Sequence, residues 1–322
     1  MRAKGCARMR EYLLRRIIAL IPVMFVVATL VFVLMHITPG DPVSAMLGLD
    51  ARPEDIERMR KRLGLEDPLY VQYVRWLGKV VTGNLGESIY LQVPVTTAVL
   101  ERVEPTLLLT LLALLMAVGV GIPAGVISAT RFGSFLDQFL MVLALLGVSM
   151  PEFWLALNLI FLVAVKLGWL PVAGYVPLQA SWIATLRYLA MPAFCLGFLQ
   201  STLIARMTRA LMLDVLSQDY IRTSRAKGLP PRLVVYKHAL KNAFIPTLTV
   251  IGIAFAIMMG GAIVIETVFA LPGVGRLLIQ SVLRRDYPVV QGIVLIIAGA
   301  YVLINLLVDA AYAYLDPRIK YV

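Results

Sequence analysis

Six stretches of this chain, residues 17–38, 106–130, 138–165, 188–205, 243–265 and 289–308, carry almost no charge. Each is about as long as a helix needs to be to cross a hydrocarbon core of about 30 Å. The only charged residue in any of them is Glu152, which follows Pro151 in the third run. Hydrophobic residues make up 60% of the 322 residues and charged residues 15%, against about 45–50% and about 25% in a soluble domain. This excludes a soluble globular enzyme, a disordered chain and a disulfide scaffold. An outer-membrane barrel would instead show short alternating runs. The expected fold is an all-α membrane protein with six transmembrane helices.

The segments between the runs give the expected organisation. Residues 1–16 form a basic N-terminus, 17–38 the first membrane helix and 39–104 an extracytoplasmic insertion. Residues 105–311 form the core of helices two to six, with a long cytoplasmic loop at 206–242, and 312–322 form the tail. The first run is long for a signal peptide, whose apolar region has about 7–15 residues, and no small-x-small cleavage site follows it. Within 39–104, residues 52–65 read as a charged helix opening at Pro53-Glu54-Asp55, and Pro68, Gly78, Gly83, Gly86 and Pro94 punctuate the remainder.

Lys and Arg counts in short loops set the orientation. With the N-terminus inside, the inner segments hold 17 basic residues and the two short outer loops, 166–187 and 266–288, hold 5. The segment 39–104 exceeds about 60 residues, beyond which the rule loses force. Both termini are therefore expected in the cytoplasm, in contact with membrane lipid. The net charge of +11 is explained by topology, not by a nucleic-acid partner. The two cysteines, Cys6 and Cys195, lie in unlike surroundings and show no metal-ligand spacing.

The chemistry is sparse. A nucleotide site needs a glycine-rich phosphate loop ending in Lys and then Ser or Thr. Here Gly78-Lys79 is followed by Val80, and Gly273-Val274-Gly275 follows Pro272 and reads as a turn. His36 and His238 have no ligand or catalytic partner at helical spacing. No catalytic residue, metal site or cofactor site is expected. Glu152 has two readings: a carboxyl at a proline kink facing a wet interface, or, with Ser149, part of a translocation path. Small residues recur every four positions in Ala117, Gly121 and Gly125, and in Gly252, Ala256 and Gly260. Such series let membrane helices approach closely, or line a pore. What remains is a membrane pathway without its own energy source.

The 206–242 loop is the most informative segment. Asp219 opens a short helix as a first-turn acid, Gly228 stands where a helix-ending glycine belongs, and Pro230-Pro231 stop continuation. A second helix is expected to follow, with Leu233, Tyr236 and Leu240 on one face. This basic helix-turn-helix suits either an anionic lipid surface or a docking site on another protein.

The run Tyr220-Ile221-Arg222-Thr223-Ser224-Arg225-Ala226-Lys227-Gly228-Leu229, followed by Lys237-His238-Ala239-Leu240-Lys241-Asn242-Ala243, resembles the EAA loop of binding-protein-dependent ABC importer permeases. The resemblance is to the dipeptide/oligopeptide/nickel and glutathione-type family. Thr38-Pro39-Gly40-Asp41-Pro42, Gly83-Asn84-Leu85-Gly86, Glu266-Thr267-Val268-Phe269, Arg285-Asp286-Tyr287-Pro288 and Leu315-Asp316-Pro317-Arg318-Ile319 extend it across nearly the whole chain. Where the general motif has Glu-Ala-Ala, this chain has Arg222-Thr223-Ser224, as the peptide-type subfamily does. Glu152 stands where the family would carry a small or hydroxyl residue.

The resemblance implies a type I importer permease architecture and a subunit that is not itself an enzyme. It implies a heterodimer with a homologous permease, two ABC ATPase subunits carrying ATP and Mg, and an extracytoplasmic solute-binding protein. The location implied is the bacterial or archaeal inner membrane, and the substrate class is di- or oligopeptides or a related small solute. Arg222 to Leu229, with His238, would form the ATPase-coupling element.

Overall fold

The computed structural model describes residues 2–37, 43 and 52–315. The motif at 38–42, the tail at 316–322 and the side chains of the basic N-terminal segment lie outside the described residues. Among those described there is no β-sheet, only one isolated antiparallel bridge between Glu87 and Pro94. The chain is helical, in the order α1 Arg2–Ile37, α2 Pro53–Leu63, α3 Leu69–Val81, α4 Val95–Thr130, α5 Phe135–Ser149 and α6 Glu152–Lys166, then α7 Trp182–Leu216, α8 Asp219–Ala226, α9 Pro231–Val268, α10 Val274–Leu283 and α11 Tyr287–Leu315.

Five helices are long and apolar enough to cross a membrane: α1, α4, α7, α9 and α11. The sixth span is α5 and α6 taken together, bent by 101° at Met150-Pro151. Pro151 has no N–H to continue the helix and disfavours helical geometry at Met150, whose ψ is 127°. Where the sequence suggests a kinked third helix, the structure has an elbow.

Several helices outrun the charge-free windows. α4 starts at Val95, with Glu101, Arg102 and Glu104 already inside it, and α7 continues past Arg206 and Arg209 to Leu216. Charge ends the apolar window, not the hydrogen bonding of the helix. Gly273-Val274-Gly275 is not a loop turn: Gly273 caps α10 in extended geometry, and Val274 and Gly275 form its first turn.

The chain divides into two compact units, one of residues 1–104 with 273–303, the other of 105–272 with 304–322. In the first, Val95, Ala98 and Val99 of α4 pack with Val274 and Leu277 of α10 and Val289 and Ile293 of α11. Asp286, 2% exposed, pins the loop before α4. Its carboxylate accepts from Ser88 Oγ at 2.5 Å, Ile89 N at 3.1 Å and Tyr90 N at 3.2 Å. The Arg284 guanidinium lies 3.7 Å from the Tyr90 ring centroid.

In the second unit α7 is central, with Leu189, Leu196 and Ile204 fully buried against α4, α6 and α9. Lipid supplies no hydrophobic drive between helices, so close approach depends on small residues. A Cβ at Gly121 would stand 2.8 Å from the Ser201 carbonyl, and one at Gly125 would stand 2.6 Å from that of Ala205. Gly252 abuts Val308, whereas Gly260 has open space around it and is exposed, and Ala256 is half-buried. The second four-residue series is thus not one packed stripe. Gly147 and Gly261, which no four-residue series singles out, meet Thr202 and Glu152, and Gly197, in the series Ala193, Gly197, Ser201 and Ala205, meets Ala113.

Candidate functional site

The loop between α7 and α9 is built from its backbone outward. Gln218 is extended, with ψ 147°, and α8 begins at Asp219. Thr223 Oγ1 donates to the Asp219 carbonyl at 3.0 Å and Ser224 Oγ to that of Tyr220 at 2.8 Å. The helix closes with Lys227 N donating to Thr223 O at 3.1 Å and Gly228 N to Arg225 O at 3.0 Å. Gly228 has φ +77°, a conformation L-residues adopt at a cost. Pro230 is extended, and Pro231 occupies the first turn of α9, where its missing N–H costs nothing.

Two contacts staple α8 down. Ile221 is completely buried, in a cluster with Val126, Ala129, Met212, Val234, Ala239 and Ala243. Burying such a side chain contributes about 1.5–3 kcal/mol. Tyr220 OH accepts from Asn242 Nδ2 at 2.9 Å, and the same amide donates to His238 O at 2.9 Å. The staple leaves Arg222, Thr223, Arg225, Ala226, Lys227 and Gly228 exposed, with Ser224, Leu229 and His238 half-buried. α8 therefore offers a cationic outer face on a fixed base.

The segment after α8 departs from the sequence expectation. Val234–Leu240 is a π-helical stretch, so the face proposed through Leu233, Tyr236 and Leu240 does not form. Leu233 and Tyr236 are exposed, and Val234 and Ala239, five residues apart, are buried. An i→i+5 turn adds a residue to the repeat and rotates everything beyond it.

A buried ion pair braces the unit near this loop. Asp137, 2% exposed, accepts from Arg209 Nε at 2.7 Å and Nη2 at 2.9 Å, from Gly133 N at 3.0 Å and from Ser128 Oγ. It joins the end of α4, the start of α5 and the C-terminal part of α7. The bidentate guanidinium and the two further donors satisfy a carboxylate that would otherwise be costly to bury.

Ser149 and Glu152 come together at the α5–α6 elbow. The Ser149 hydroxyl, exposed, donates back to Leu145 O at 2.9 Å. The half-buried Glu152 side chain forms no hydrogen bond or ion pair among the described residues. Its carboxylate oxygens lie 2.7 Å and 2.9 Å from where a Cβ on Gly261 would stand, so that glycine makes room for it. Among the described residues no three potential metal ligands converge.

Comparison with known proteins agrees with this architecture. Residues 121–321 match the family described as binding-protein-dependent transport system inner membrane component, and residues 9–110 match the corresponding N-terminal family. A putative peptide transport system permease protein of Brucella abortus is 47% identical over 97% of this chain and 100% of its own length. The glutathione transport system permease protein GsiC of Escherichia coli is 42% identical with the same coverage. Among solved structures, a subunit of the MetNI methionine ABC transporter in an inward-facing conformation superposes with a TM-score of 0.57. It is 22% identical and covers 69% of this chain and 97% of its own. That likeness shows the shared fold, and the sequence matches show descent: the chain belongs to the family of binding-protein-dependent transport system inner membrane components.

Proposed function

We propose that this chain is one of two permease subunits of an ATP-driven importer for short peptides or a related small solute. Its partners are a homologous permease, two ATPase subunits that carry ATP and Mg, and an extracytoplasmic solute-binding protein. The chain catalyses no covalent step and binds no cofactor of its own. Both termini and α8 lie on the cytoplasmic side, and residues 52–94 and α10 lie outside. The peptide class is supported by the names of the full-length relatives, and the orientation by the basic loops.

The observation that carries the reading is α8 itself. A short helix with Arg222, Arg225 and Lys227 exposed, closed by a left-handed glycine and held by Ile221, has the form of a rigid peg. Pulled or pushed by ATPase subunits, such a peg transmits force to α7 and α9, because its base is packed between them. Arg222 to Leu229, with His238, form this coupling element. Glu152 and Ser149 lie on the translocation path at the elbow; Gly121, Gly125 and Gly252 serve helix packing within the chain, and Ala256 and the exposed Gly260 serve packing across the permease dimer.

Gly228→Asp tests the assignment. It places an anion in a cationic docking face, at a left-handed position whose geometry Asp tolerates. The variant should insert normally, yet transport and binding-protein-stimulated ATP hydrolysis should both collapse in a reconstituted complex. Normal values for both would sink the coupling assignment.

A further inference from the structure

The first unit contains a cavity of about 550 Å³, bounded by the end of α1, by α3, by the loop at residues 84–94 and by the first turn of α11. This is within the range of small-molecule sites, about 300–1,000 Å³. One part of its wall is aromatic: Phe32 and Trp76, with ring centroids 5.5 Å apart, and Tyr287.

Most of the polar wall is already engaged. Gln72 Nε2 donates to Leu65 O and Asp67 O, Arg75 is paired with Asp67 at 2.8 Å, His36 Nδ1 bonds Phe32 O at 2.8 Å, and Asn84 Oδ1 accepts from Gly86 N. Three groups are not engaged among the described residues. Gln291 is 5% exposed, and its carboxamide makes no hydrogen bond to another described residue; it is not among the fully buried unpartnered atoms, so it reaches the solvent of the cavity it lines. Lys79 and Glu87, exposed at the cavity wall, make no ion pair.

These three groups match one ligand chemistry. A side-chain carboxamide carries the donor and acceptor that complement a peptide group. An unpaired ammonium complements a carboxylate, and an unpaired carboxylate complements an ammonium. We propose that this cavity binds a zwitterionic short peptide: its peptide group on Gln291, its C-terminal carboxylate on Lys79, its N-terminal ammonium on Glu87 and an apolar side chain on the aromatic wall. The inference rests on the peptide reading above and adds to it a substrate site on the permease itself.

The test is equilibrium binding of Ala-Phe to the full chain, assembled with its partner permease in lipid nanodiscs without the binding protein. Gln291→Ala should weaken binding about tenfold. Lys79→Gln and Glu87→Gln, both at exposed positions, should each weaken it about threefold. The two charge variants should also separate by ligand: Lys79→Gln leaves C-amidated Ala-Phe unaffected, and Glu87→Gln leaves N-acetylated Ala-Phe unaffected. Unfolding midpoints of Lys79→Gln and Glu87→Gln at the wild-type value show that the fold is intact. No saturable binding below about 10 mM, or the same affinity in all three variants, overturns the proposal. So does loss of binding-protein docking in variants whose peptide affinity is unchanged. Transport of Ala-Phe by the complete importer is measured in parallel. If transport persists while the cavity fails, only this inference falls; if no peptide is transported at all, the substrate reading falls too.

Discussion

At Gly228 a Cβ would find nothing within 4 Å, while φ is +77°. The demand there is conformational, not steric. Asn tolerates left-handed geometry and a β-branched residue does not. Gly228→Asn should therefore keep most of the stimulated ATPase activity of the reconstituted complex, whereas Gly228→Val should lose most of it; equal losses would show that space, not backbone, decides. Asp137 makes the opposite demand. Its truncation would leave the Arg209 guanidinium, with a side chain only 23% exposed, without its counter-charge. Breaking a buried pair costs about 3–5 kcal/mol, so Asp137→Ala should lower the unfolding midpoint of the solubilised protein well beyond the effect of Arg58→Ala. Arg58 forms an exposed pair with Asp55 at 2.7 Å, and such pairs contribute about 0–1 kcal/mol.

As an element, α8 is eight residues long, too short to hold itself together in water. Its persistence depends on Ile221 and on the Tyr220–Asn242 bond. Ile221→Ala should destabilise the loop by about 2–5 kcal/mol, read as faster amide hydrogen exchange confined to residues 219–241, with the membrane helices unchanged. How far this was legible in the sequence depends on which requirements are local. The turn at Gly228 and Pro230-Pro231 announces itself because backbone geometry restricts residue type. The burial of Ile221 and the 72-residue reach from Asp137 to Arg209 are tertiary and leave no periodic trace. The π-helical stretch was illegible for the same reason, since a single inserted residue in a helix has no residue-type signature. Small-residue spacing was only half informative: it singles out Gly121, Gly125 and the exposed Gly260 alike, and passes over Gly261, where a Cβ would stand 2.7 Å from the Glu152 carboxylate. Periodicity finds a face and does not say what lies against it.

For the whole molecule, the apolar windows fall on the five long apolar helices and the one bent pair among the described residues, because charge in hydrocarbon costs about 2.5–3.5 kcal/mol per residue on insertion scales. They did not locate the helix ends, which run on past the first charged residues under ordinary hydrogen bonding. The charges excluded from the spans gather instead on loops, and the exposed cations of α8 carry a measurable signature. Interactions between exposed charges are screened within about 8–10 Å at physiological salt. Neutralising Arg222, Arg225 and Lys227 to Gln should lower the salt concentration that strips the ATPase subunits from purified membranes; an unchanged stripping curve would mean the docking is apolar. The partition of the chain has a different consequence, in time. The first unit is assembled from residues 1–104 and 273–303, and the Asp286 carboxylate that fastens Ser88 is encoded 198 residues after it. At a synthesis rate of about 5–20 residues per second, the ribosome needs roughly 10–40 s to cover that distance. For that interval the nascent loop has no fastener, and a chain cut short anywhere before Asp286 would never acquire one.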